Sequence, residues 1–474
     1  MLFNSFLFLG FFAVVYALHL GLLRRHRSQN VMLLAASYVF YGAWDPRFLV
    51  LLFATSSLDW WVSTRMPEAK TERRRKLLLG VSLTANLGLL AFFKYAGFFA
   101  ENLSALLHYL GLSASVAELR IVLPVGISFY TFQALSYTVD VYRGHLKPAR
   151  SLLDFCLFVS LFPQLVAGPI ERATHLLPQI ESPRVIRPDE ADAGVWLILW
   201  GYFKKVVIAD NMAAVANEVF NNYKRYDGID IHLGAIAFAL QIYGDFSGYS
   251  DIARGLCKIM GFDLMLNFRL PYFALNPSDF WRRWHVSLST WLRDYLYVPL
   301  GGNRGGQWKT YRNLFLTMLL GGLWHGAAWN FVLWGVFHGI LLIAYRPFMG
   351  RLTASVTSGP GWSRRLSAAI QWAVMLELTL VGWVLFRARS VEQIKTMLLS
   401  AGAGVSAKTG EIASTIVFFA APLLLIEIAQ HWSKDLLIVT RLKAPARALV
   451  YGALLAGIFV FGVRESVEFI YFQF

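Results

Sequence analysis

Between Arg312 and Arg346 the chain runs for 33 residues without an Asp, Glu, Lys or Arg. An apolar run of that length belongs in a bilayer. As one continuous helix it would extend roughly 50 Å at ~1.5 Å per residue, well beyond a hydrocarbon core of ~30 Å. It must tilt, break or run past the interface, and Gly321-Gly322 is the expected break. The run also holds two imidazoles, His325 and His338. An ionisable group at membrane depth is costly and marks function. At ~100° per residue the two lie ~140° apart around one helix, so they share a pocket only if the helix breaks between them. Gly322 with Gly326, and Gly335 with Gly339, are small-residue pairs that allow close helix contact. His338, beside Gly339, reads as a hydrogen-bonding partner of a neighbouring helix or as a channel residue. His325, flanked by Trp324 and Gly326, reads as functional.

The rest of the chain agrees with the bilayer. Of 474 residues, 57% are hydrophobic and only 15% charged, with mean hydropathy +0.50. Apolar runs are continuous rather than alternating, which excludes a β-barrel and predicts an all-α polytopic membrane protein. The net charge of +15 sits mostly in loops between apolar runs. Cytoplasmic orientation and anionic headgroups explain it, and no nucleic-acid partner is implied. Cys156 and Cys257 are far apart within apolar segments and read as packing residues. The first apolar run lacks a basic segment before it, and Arg24-Arg25-His26-Arg27 follows it. That predicts a retained first helix with a periplasmic N-terminus.

Expected spans cover 2–23, 31–43, 48–63 and 77–93, with 96–111 re-entrant or surface-lying. The basic loop 65–76 agrees with the first cluster on orientation. Further apolar segments cover 123–141 and 151–168. Residues 193–220 carry Lys204-Lys205 as snorkelling interface lysines. Residues 230–262 carry Asp245 and Asp251, ~120° apart on a helix. Buried carboxylates need cations, and Arg254, Arg282 and Arg283 are the candidates. Residues 276–298 read as one tryptophan-rich amphipathic helix, capped by Ser278 or Asp279, with His285 bordering its apolar face. The run Gly301–Gly306 reads as a turn rather than a phosphate cradle. Spans at 367–386, 412–430 and 447–463 bring the expected number to about 11, with re-entrant and interfacial pieces, in a single transmembrane domain over 1–474.

Trp324-His325-Gly326 resembles the signature of the membrane-bound O-acyltransferase family. Ordered motifs extend the resemblance over essentially the whole chain: LPVGISFYTFQALSYTVDVYRG (123–144), LFPQLVAGPI (161–170), YGDFSGYSDIARGL (243–256), DFWRRWHVSLSTWLRDYLYVPLGGNRGG (279–306) and EFIYFQF (468–474). They are most similar to the branch containing the alginate O-acetyltransferase membrane subunit and its cellulose-acetylation relatives. The resemblance implies a central channel through the helices. It also implies an acetyl group passed from a cytoplasmic thioester, acetyl-CoA, toward an exopolysaccharide outside, in the bacterial inner membrane. A separate periplasmic acetyltransferase is the implied protein partner. The family's signature histidine corresponds to His325 and its second polar position to His285.

The residues fit that chemistry. There is no G-x-S-x-G elbow, H-E-x-x-H site or dinucleotide fingerprint, and no metal is expected from the histidine spacing. A neutral imidazole can take a proton from a hydroxyl near pH 7. His325 is the expected general base. His285 supports it by orienting or polarising an acyl or acceptor group, and a covalent acetyl-histidine is the other route. Trp324, Gly326, Asp245, Asp251, Arg282, Arg283 and His338 are the candidate channel residues. The competing functions are a polysaccharide exporter or structural subunit, and D-alanyl transfer to a teichoic-acid-type polymer.

Overall fold

The computed structural model describes residues 1, 3–112, 121–226, 228–358, 360–400, 404–463 and 469–470. Its regular elements are helical throughout. Five helical stretches among the described residues are long and apolar enough to cross a bilayer: Glu72–Tyr109, Trp329–Thr357, Gly361–Arg387, Thr409–Ser433 and Ala444–Phe461. The apolar Phe6–Gly21 helix is shorter. The chain packs as two compact units, one formed by 1–198 with 252–265, the other by 199–251 with 266–474.

In the first unit the helix starts follow local hydroxyl caps. Ser5, Thr71 and Ser151 each accept a backbone N–H of the first turn they precede. Residues 96–109, within the segment expected to be re-entrant or surface-lying, continue a single helix of 38 residues, Glu72–Tyr109. Lys94 does not interrupt it, because one polar side chain leaves the backbone hydrogen-bond ladder intact. Buried polar groups are satisfied in clusters. Asp59 accepts from Ser82 at 2.5 Å and from Asn86 at 2.9 Å. Asn30 donates to Asp154 at 2.8 Å. Cys156 and Cys257 are buried and free, as packing residues.

In the second unit the central feature is a helical hairpin, Gln307–His325 and Trp329–Tyr345. The break expected at Gly321-Gly322 lies instead at Gly326–Ala328, after His325. Both glycines stay helical because the second helix approaches there: a Cβ at Gly335 would meet the Met318 carbonyl oxygen at 2.6 Å. That packing outweighs a glycine penalty of ~1 kcal/mol per helical residue. Gly326 is needed at the bend because a Cβ there would strike the Phe331 ring. The Gly301–Gly306 run is a backbone turn, with Arg304 N donating to Gly301 O at 2.9 Å.

Candidate active site

His285 stands at a corner. The expected continuous helix over 276–298 is broken into Pro277–Arg283 and Val286–Leu292, with a π-helical turn after it. The first piece is capped by Asn276, not by Ser278 or Asp279; its Oδ1 accepts from Asp279 N at 2.8 Å, with Pro277 at the first helical position. Trp284 is extended and His285 takes left-handed angles, φ 42 and ψ 55. For a residue with a Cβ that conformation costs roughly 1–2 kcal/mol. The neighbouring segment 267–269 holds it. Val286 N donates to Asn267 O at 2.9 Å and Arg269 N to Arg283 O at 2.9 Å. These long-range bonds replace helical ones, so apolar periodicity alone could not reveal the break.

The imidazole of His285 is fully buried. Its Nδ1 lies 3.0 Å from Asn267 Oδ1. Phe246 meets the ring edge-on at 4.7 Å and Trp324 does so at 5.9 Å. His325, the last residue of its helix, also contacts that indole, with Trp324 at 5.0 Å, Trp334 at 4.9 Å and Phe386 at 5.2 Å, all edge to face. Its exposure is 5%. One tryptophan ring therefore touches both imidazoles.

His338 joins the same run of rings. Trp334 lies 4.6 Å from it and Trp281 5.1 Å, with Phe280 stacked at 6.1 Å. The helix break between His325 and His338 is what allows one indole to touch both.

Asp245 and Asp251 are each paired with a lysine. Lys205 lies 2.8 Å from Asp245 and 2.8 Å from Asp210. Lys204 lies 2.7 Å from Asp251 and donates to Ser247 Oγ at 2.9 Å. The lysines expected to snorkel are buried, at 2% and 6% exposure. A π-helical turn, Phe203–Ala209, carries both, and its wider turn alters the side-chain spacing from α-helical register. Arg283 instead pairs with Asp279 at 2.9 Å, and Arg282 is exposed. Asp245 also accepts from the backbone N–H of Ile470 at 2.7 Å. Phe469 packs at 5.8 Å on Phe246, the ring that meets His285. The sequence reading did not single out Asn267, Trp334, Phe386 or Glu427. Glu427, within an apolar span, accepts a hydrogen bond from Tyr243. A lone carboxylate in such a span was the available signal.

Acyl transfer needs a hydroxyl-activating base in a site screened from water. The aromatic walls around His325 and His285 supply that screening. A family model described as the membrane-bound O-acyltransferase family, MBOAT, matches residues 143–380, a span that contains His285, His325 and His338. The probable alginate O-acetylase AlgI of Pseudomonas aeruginosa is 44% identical over 395 residues, covering 83% of this chain and 73% of that protein. The peptidoglycan O-acetyltransferase of Helicobacter pylori is 34% identical over 428 residues, covering 84% and 79%. The teichoic acid D-alanyltransferase of Bacillus subtilis is 29% identical over 241 residues, covering 47% and 59%.

Proposed function

Because the chain belongs to the membrane-bound O-acyltransferase family and is an acyltransferase, we propose that it moves acetyl groups from a cytoplasmic thioester, acetyl-CoA, across the inner membrane for O-acetylation of an exopolysaccharide of the alginate or cellulose type. The observation that carries this reading is the shared contact of His325 and His285 with Trp324, both buried among aromatic rings. The extent of similarity to the alginate O-acetylase supports acetyl over D-alanyl transfer, since the D-alanyltransferase match covers under half of the chain.

In this reading His325 is the general base. It takes the proton from an acceptor hydroxyl as the oxygen attacks the thioester carbonyl. The tetrahedral oxyanion collapses, the carbon–sulfur bond breaks, and the proton passes from the imidazolium to the leaving thiolate. His285 orients the reacting group. Trp324, Gly326 and His338 line the path, while Asp245 and Asp251, held by lysines, brace its wall. A separate periplasmic acetyltransferase completes delivery to the polymer, and the N-terminus lies in the periplasm.

The test is polymer O-acetyl content in a deletion strain complemented with wild type or His325→Ala, with membrane levels of both measured. We expect the variant to reach the membrane and acetyl to be lost while polymer secretion continues. Full acetylation would overturn the catalytic reading, and loss of secretion would point to an export subunit. The Helicobacter relative favours a second acceptor, peptidoglycan. Measuring O-acetyl on secreted polymer and on peptidoglycan in the same strains decides between them.

A further inference from the structure

We propose that Asn267 is a positioning residue for His285, fixing its imidazole as the Nδ1–H tautomer and leaving Nε2 as the acceptor nitrogen. The proposal rests on the acyl-transfer reading above and specifies what His285 does within it.

The argument begins with the orientation of the Asn267 amide. A backbone N–H can only donate, and that of Ser287 lies 3.4 Å from one terminal atom of the amide. The atom facing it must therefore be the oxygen, Oδ1. Ser287 Oγ donates to the same oxygen at 2.9 Å. The other end of the amide, Nδ2, donates to Ser250 Oγ at 3.2 Å. The two hydroxyls, each able to donate or accept, are compatible with the orientation that the Ser287 N–H sets. Asn267 is fully buried, so this network, not solvent, sets it.

His285 Nδ1 lies 3.0 Å from that oxygen. Two lone pairs at this separation would repel, so Nδ1 carries a hydrogen and donates it. In the neutral ring the other nitrogen then has the lone pair. His285 can thus receive a hydrogen bond at Nε2. It is suited to holding an acceptor hydroxyl for attack, and as a neutral ring it is not suited to donating to a carbonyl oxygen. The backbone of Asn267 contributes as well. Its carbonyl accepts from Val286 N at 2.9 Å, immediately after the left-handed residue. One residue therefore sets the backbone angle, the ring orientation and the tautomer of His285.

The alternative is that Asn267 only stitches the corner together. The experiment separates these by measuring the initial rate of polymer O-acetylation in cells, normalised to membrane protein, in two backgrounds. With His285 present, Asn267→Ala should lower the rate ~10–100-fold, the range for residues that orient a functional histidine. Asn267→Asp, which keeps an acceptor oxygen in place, should restore most of it. In a His285→Ala background, Asn267→Ala should change the residual rate by less than ~2-fold, because the two residues act as one unit. Equal losses in both backgrounds, or no loss with His285 present, would overturn the proposal. Should Asn267→Ala fail to accumulate, Ser250→Ala carries the test, since it removes the bond that anchors the Nδ2 end of the amide. A ~3–10-fold loss confined to the His285 background supports the proposal, and an equal loss in both overturns it. Full activity in His285→Ala alone would overturn the role of His285 itself. An inactive His285→Ala with an unaffected Asn267→Ala would remove only the positioning claim.

Discussion

His325 and Trp334 meet edge to face with ring centroids 4.9 Å apart, although a helix break lies between them. The same indole reaches His338 at 4.6 Å. A straight helix would turn these imidazoles ~140° apart, so the bend at Gly326–Ala328 is what makes a single ring common to both.

Trp334 is fully buried, and its removal leaves a void beside His325 and His338. Trp334→Ala should cost ~3–5 kcal/mol, and Trp334→Phe, which keeps an aromatic edge, much less. Thermal midpoints of the purified protein in detergent, set beside O-acetyl content, check this. An unchanged midpoint in the alanine variant would show that the ring does not hold the hairpin.

Lys205 stands between two buried carboxylates, Asp210 and Asp245. Lys205→Ala strands both, and losing one partner of a buried pair costs ~3–5 kcal/mol. Lys205→Ala should accumulate poorly in membranes. Adding Asp245→Asn should recover part of the loss by removing a stranded charge. A double variant no better than the single one would mean that Asp245 is not the group Lys205 neutralises.

Gly335 lies at a close approach of the hairpin helices. Gly335→Ala places a methyl group against the Met318 carbonyl, and overpacking of this kind costs ~1–3 kcal/mol. We expect a lower thermal midpoint and reduced acetylation. Gly350→Ala, where a Cβ meets nothing within 4 Å, serves as the neutral comparison.

A polar cluster in the first unit gives the protein a pH dependence unrelated to its chemistry. His175 Nε2 lies 3.6 Å from Asp263 and Nδ1 2.9 Å from buried Glu171. Asp263, and then Glu171, push the imidazole up to about 10. In turn His175, and then Lys258, hold the Asp263 carboxyl well below the usual carboxylate range. A raised imidazole contributes stability that is complete below its unfolded value, near 6.5, and is lost as pH rises through about 10. A depressed carboxyl contributes above its unfolded value, ~4, and loses that contribution on acidification. Between pH 6.5 and 10 the thermal midpoint of the wild type should therefore fall more than that of His175→Gln. Parallel profiles would show that the cluster contributes nothing over that window.

Much of this protein was legible in local composition. Uninterrupted apolar runs predicted helices in a bilayer, because each backbone group must be satisfied within its own segment there. Trp324-His325-Gly326 within an uncharged run marked His325, while the candidate role of His285 came from the family resemblance. What the sequence by itself could not determine was where helices bend and which charges meet. Gly321-Gly322 has the composition of a break but remains helical, because its cost is small beside the packing of the second helix. Asp245 lies 40 residues from Lys205 in the chain, and only the π-helical turn and the packing of two helices bring them together. His285 follows a helical apolar pattern, yet long-range bonds from Asn267 and Arg269 fold it into a left-handed corner. Periodicity records which face of a helix is apolar; tertiary contacts, whose energies exceed single-residue preferences, decided the partners and the turns.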